Sequence, residues 1–463
     1  MIACQFLLTP MVSGLILMGC IGAAKPGAES AVVSTPGARL VATIYNSGFE
    51  HAHDTYNGIS SASDGKIYYI LCSQLIDEAG QMYSFDPKTG KIEHLGDLTA
   101  ICGEKGMNVV AQGKSHVNFV ESNGKLYFAT HLGYYSIIGG MEKSGIPTRG
   151  IKPYRAGHLI AFDMKNKTFE DLGMAPHNEG VITMNMDTNR GLIYGLTWPT
   201  GYLFRYDLAK KEMKDLGPFT GKGEDGNGAD FRIVCRSIVI NAKDGTAYLT
   251  NAEGQIKCLK VGQDVVETIE GDNMKKDYFG TYEVSTAGSM AYNWRQAFWY
   301  AAEKKIYGVH GNSGYLFRFD PAAPPHVEVL ERLTSISSKL SGMNDQFSYG
   351  YLGFKLGPDG HTIYYLTGSP VYVNGKRATG DSITAKGEAK GMEDLHLVTY
   401  DITTGTYLDH GAVFYPDGQR PLWVNSIAIG DDGTVYTMAR ITNNGKTRTD
   451  LISIPNPFKK SDK

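Results

Sequence analysis

The sequence predicts an all-β fold: a seven-bladed β-propeller of four-stranded antiparallel blades, its ring closed by an N-terminal strand. Three observations carry this. A turn followed by an apolar strand centred on tyrosine recurs at Tyr68, Tyr127, Tyr194, Tyr248, Tyr307, Tyr364 and Tyr436, with a mean period of about 61 residues. Most copies continue into a strand ending in Asp, a short turn and another strand, as in YSFDPKTGKIEHLG, IAFDMKNKTFEDLG, FRYDLAKKEMKDLG and VTYDITTGTYLDHG. The composition agrees, because 56 Gly and 28 Tyr supply turns and strands.

Taken in order, the chain opens with an address label over residues 1–20. Phe6 to Met18 is apolar, too short to span a bilayer, and followed by small residues. Leu17, Met18, Gly19 and Cys20 resemble a lipoprotein cleavage box, in which Cys20 would carry lipid and anchor the chain to a membrane. Plain signal cleavage near Ala24 is the alternative. Either route predicts an exported protein: periplasmic, anchored at the outer membrane as a lipoprotein, or extracellular. Residues 21–37 read as a tether, 38–456 as the propeller and 457–463 as a basic tail. A formal net charge of −3 and the lack of any Lys/Arg block argue against a nucleic-acid partner. A monomer is expected.

The clearest unit runs from Arg190 to Phe219, with strands expected at Leu192 to Thr197, Tyr202 to Tyr206 and Met213 to Leu216. Glu303 to Leu330 repeats it, including the string GYLFR(Y/F)D. The last unit offers only Val424 to Ile429, Thr434 to Arg440 and Asp450 to Ile454, so Arg39 to Ile44 is expected to supply its fourth strand. Cys235 and Cys258 should fall on the first and third strands of one blade, beyond disulfide reach. Cys72 and Cys102 are read either as a pair or as two thiols.

Label each blade's strands A to D from the centre outward. The A–B and C–D turns are short, whereas the B–C and D–A connections hold nearly all irregular sequence and share one face. Long loops on one face of a rigid scaffold are where sites are usually built. In blade 2 (KSHVNFVESNGKLYFATHLGYY), His116 begins strand A and His131 ends strand B, so the hairpin brings both to that rim. Tyr134, Tyr135, Tyr154 and His158 follow on the B–C connection. In blade 1, His51, His53 and Asp54 (HAHD) offer ligands for one divalent ion such as Zn, Ca or Mn, provided the chain is extended there; a plain surface loop is the alternative. Arg232, Arg236, Arg295 and Arg420 reach the same rim, suited to carboxylate or sulfate, or else to structural pairing with Glu224, Asp225 and Asp230. Trp198, Trp294, Trp423, Tyr292, Tyr349 and His310 complete the expected substrate surface.

Together these residues suit an acidic polysaccharide or oligosaccharide. On its repeat architecture and on the segment SH…KLYFATH…GYY, the chain resembles the seven-bladed propeller lyases of the ulvan lyase type. That resemblance implies β-elimination on a uronate. His116 or His131 would be the base, Tyr154 or Tyr134 the acid, and Arg236 the group that neutralises the carboxylate, assisted by Arg232 or a metal. The alternative is a non-catalytic propeller that binds glycan or protein. A glycoside hydrolase would instead need two opposed carboxylates, and Glu179, Glu224 and Asp345 are not paired by any sequence pattern.

Overall fold

The computed structural model describes residues 39–53, 57–138, 141–340, 353–374, 376–378, 393–421, 423–443 and 446–459. The expected leader and tether, Asp54, Asp345 and Tyr349 lie outside them. Seven antiparallel sheets follow one another around a central channel, each ordered A–B–C–D. Blade 1 is Ile59–Ser61, Ile67–Leu71, Gln81–Asp86 and Lys91–Asp97. Blade 2 is Val120–Ser122, Lys125–Ala129, His158–Asp163 and Thr168–Met174, and blade 3 is Gly180–Asp187, Leu192–Trp198, Tyr202–Asp207 and Glu212–Pro218. Blade 4 is Val239–Ile240, Ala247–Thr250, Ile256–Leu259 and Glu267–Thr268, and blade 5 is Trp294–Tyr300, Lys305–His310, Tyr315–Asp320 and His326–Arg332. Blade 6 is Phe354–Leu356, Thr362–Pro370, Glu393–Asp401 and Thr406–Phe414, and blade 7 begins Ala428–Ile429, Val435–Asn443 and Lys446–Ile454.

The recurring residues have physical jobs. All of the landmark tyrosines on the B strands are buried, placing a large ring between blades, where burying such a side chain stabilises by roughly 1.5–3 kcal/mol. The Asp ending strand C turns the chain. The Asp163 carboxylate accepts from the amides of Lys165 (3.0 Å) and Asn166 (2.8 Å), and Asp401 accepts from Thr403 (2.8 Å) and Thr404 (3.0 Å). Such side-chain capping explains why FD or YD precedes most of these short turns. Rings also bridge neighbouring blades: Tyr68 meets Phe162 at 5.9 Å, Phe298 meets Phe354 at 5.6 Å, and across the closing seam Phe85 of blade 1 meets Tyr436 of blade 7 at 5.8 Å.

The N-terminal strand closes the ring in a way the sequence did not foretell. It divides at the buried Ala42. Thr43–Ile44 pairs antiparallel with Ile452 and Ser453, giving blade 7 its fourth strand. Arg39–Val41 pairs parallel with Ala412 to Phe414, so blade 6 has a fifth. One segment therefore ties the two blades together. Trp198, expected on the substrate surface beyond Thr197, instead ends strand B of blade 3 and is buried. Cys72, Cys102, Cys235 and Cys258 are all buried and none forms a disulfide, which excludes the Cys72–Cys102 pair; Cys258 lies on the third strand of blade 4 and Cys235 just before its first.

Candidate functional site

Blade 2 supplies the centre. Lys114 pairs with His131 through the backbone, with N···O distances of 3.0 and 2.7 Å. That register folds the two histidines together, and their ring centroids lie 4.5 Å apart. They are layered rather than side by side. His116, half-buried, lines a cavity of about 420 Å³ along the inner strands, shared with Arg236 and Lys355. His131 sits behind it, fully buried, with the Trp198 ring 5.5 Å away. It is backed by Gly180, where a Cβ would come within 2.8 Å of the imidazole.

The hydrogen bonds fix one tautomer. His131 Nδ1 lies 2.9 Å from the Leu132 carbonyl oxygen, which can only accept, so Nδ1 carries the proton. The Tyr135 hydroxyl donates to the same carbonyl at 2.9 Å and lies 3.1 Å from Nδ1. His131 Nε2 then holds a lone pair and makes no hydrogen bond among the described residues. Burial first, then the neighbouring His131, Lys114, Arg236 and Arg295, hold His116 well below the ordinary imidazole range. Burial, followed by Lys114, does the same to His131. Both rings are neutral bases at pH 7.

The cations around them are of two kinds. Arg236 approaches Glu224 at 2.5 Å and donates to the Val234 carbonyl at 2.8 Å. Glu224, in turn, accepts from the Trp198 indole at 3.0 Å and from the Val234 amide at 3.1 Å. Lys114 is buried, its ammonium 4.1 Å above the Tyr135 ring. Arg295 lies near enough to act on His116 and donates to Met290 Sδ at 2.9 Å. Lys114 was missed in the sequence, although it stands two residues before His116 in extended chain and so shares its face.

Several expectations need correction. Tyr154 donates to buried Gln112 Oε1 at 2.7 Å, inside a network with Thr130 and Glu104. Tyr134 packs on Gly145 so closely that a Cβ there would overlap its ring. It is Tyr135 that meets His131. Trp294 is core, its indole donating to the Ser237 carbonyl at 2.8 Å. Tyr292 is buried and accepts from the Tyr282 amide at 3.1 Å, and His310 is buried, stacked 4.3 Å from Phe279 and bonded to Ser313 at 2.9 Å. With Trp198, these rings offer no face to a sugar, because blade packing has taken them. Arg232 holds Glu253 at 2.5 Å, and Arg420 pairs with Asp394 beside Phe414. Their structural pairing prevails.

The blade-1 histidines diverge. A turn from Phe49 to Ala52 replaces the extended chain that would aim both rings alike. Exposed His51 meets Glu78 at 2.9 Å, while His53 Nε2 meets the Arg440 guanidinium at 3.2 Å. Among the described residues, no three His, Cys, Asp or Glu side chains are grouped to hold a metal.

No family model matches the sequence, and no curated protein matches it. Among solved structures, the chain is similar to the β-propeller domain of Cps50 (Swd1) from Myceliophteria thermophila, at 10% identity and a TM-score of 0.47, covering 87% of this chain and 98% of that one. It is also similar to a chain of a nidogen/laminin complex, at 9% identity and a TM-score of 0.35, covering 60% and 78% respectively.

Proposed function

We propose that the chain is an exported lyase that cleaves a uronate-containing glycan by β-elimination at the blade-2 histidines. One observation supports this above the others: a neutral imidazole, His116, lines a cavity and stands among Lys114, Arg236 and Arg295. A base and cations in one place suit a proton acidified by a neighbouring carboxylate. The cations offset the charge that grows on the carboxylate as His116 removes the C5 proton, the electron pair forms the C4–C5 double bond, and the C4–O bond breaks. Tyr135 is the candidate donor to the leaving oxygen, in place of Tyr134 and Tyr154. His131 is a positioning residue behind the base.

The runner-up is a propeller that binds an acidic glycan without cleaving it. The pairing of Arg236 with Glu224 favours it, since that guanidinium is already half-neutralised. Incubating the purified protein with a panel of polyuronates and following absorbance of the unsaturated product separates the two. Product on at least one glycan is expected; tight binding with no product on any would leave recognition as the function.

A further inference from the structure

We infer that the central channel is an anion-binding passage in which the Lys355 ammonium receives a second acidic group, carried by the ligand whose first acidic group sits among Lys114, Arg236 and Arg295. The identity of that ligand as an acidic oligosaccharide rests on the reading above; the Lys355 site itself does not.

Lys355 is the middle residue of the innermost strand of blade 6, Phe354–Leu356. Phe354 is buried, and the whole strand, Lys355 included, lines the cavity that also contains His116 and Arg236. Several other partly buried cations of this chain meet carboxylates: Arg236 meets Glu224, Arg232 meets Glu253, and Arg318 meets both Glu303 and Glu328. Lys355 has no ion pair or hydrogen bond among the described residues. The carboxylate nearest in kind, Glu121 on the same cavity wall, is held by the Ser63 amide at 2.8 Å and by its hydroxyl.

A half-buried amine facing such a cavity, with no counter-charge among the described residues, gains stability from an anion that supplies one. Burial alone pulls this amine below the usual lysine range. An incoming anion would restore the charged form and, with water excluded, interact strongly with it. A cavity of about 420 Å³ is within the range of small-ligand sites. The sugar chain would thus enter by its end, with acidic groups on two neighbouring units.

Calorimetric titration of wild type, K355M and K355R with glucuronate and with digalacturonate tests this. Wild type should bind digalacturonate about ten-fold tighter than glucuronate, the worth of one charge-assisted hydrogen bond. K355M should erase the difference and K355R retain it. Equal affinities in wild type, or a difference that survives K355M, would overturn the proposal. Should neither sugar bind, labelling with pyridoxal phosphate and borohydride decides. Preferential modification of Lys355, suppressed by tartrate, would uphold the anion site while sinking the glycan reading. Labelling no faster than at surface lysines, without protection, would sink the site as well.

Discussion

Two kinds of buried histidine set opposite pH limits. His116 and His131 are held well below their ordinary range by burial, His310 is pushed down to about 3 and His410 to about 4. For these, the unfolded chain binds protons first, so the stability from keeping them neutral is complete above about 6.5 and is lost as pH falls below it. His158 is the reverse. Despite burial, Asp171 at 2.8 Å and Glu104 at 3.2 Å raise it to about 9. Its contribution is complete below about 6.5 and disappears as pH rises toward 9, on the order of 3 kcal/mol at full value. Urea midpoints across pH should therefore fall on both sides, and H158Q should flatten the alkaline limb alone. A limb that persists in H158Q assigns it elsewhere. In turnover, H116A should lose about 10²–10⁴-fold in kcat/KM. The acid limb of the wild-type rate profile should lie below 6.5; a midpoint above it would mean that His116 is not the base.

At the scale of the element, the strand closing the ring makes a sharper prediction than a four-strand blade alone would. Deleting residues 39–45 removes ladders from blades 6 and 7 and the buried Ala42 and half-buried Ile44 from their shared core. Thermal unfolding should drop by several degrees, with the amides of Ala412 to Phe414 and of Ile452 and Ser453 losing hydrogen-exchange protection together; protection lost in blade 7 alone would make the parallel pairing dispensable. Blade order was legible because the units repeat local signals: a turn, a buried tyrosine and, in most, an Asp that caps the turn after strand C. The split at Ala42 was not, since three residues of apolar strand fit either neighbour. The site was half legible. The His116–His131 hairpin is a local register, readable from two strand ends. The pairing of Arg236 with Glu224 joins loop residues with no periodic relation. Lys355 alternates with apolar neighbours like any surface lysine, and only closure of the ring turns that face inward.

At the scale of the molecule, the leader reading has its own measurement. Material purified from its native host should lack residues 1–19 and carry lipid on Cys20; an unmodified chain beginning at Met1 would end the export proposal. The paired seam strand also sets a timetable. As the ribosome releases the chain, Arg39 to Ile44 emerges well before its partners Ala412 and Ser453. Contacts so distant in sequence are slow to form, and strand edges left open meanwhile invite intermolecular pairing. Every blade can condense on its own hairpins, but the circle is sealed only once blades 6 and 7 have been made. A cell making this protein must shelter an unpaired edge while the blades between Ile44 and Ala412 are synthesised.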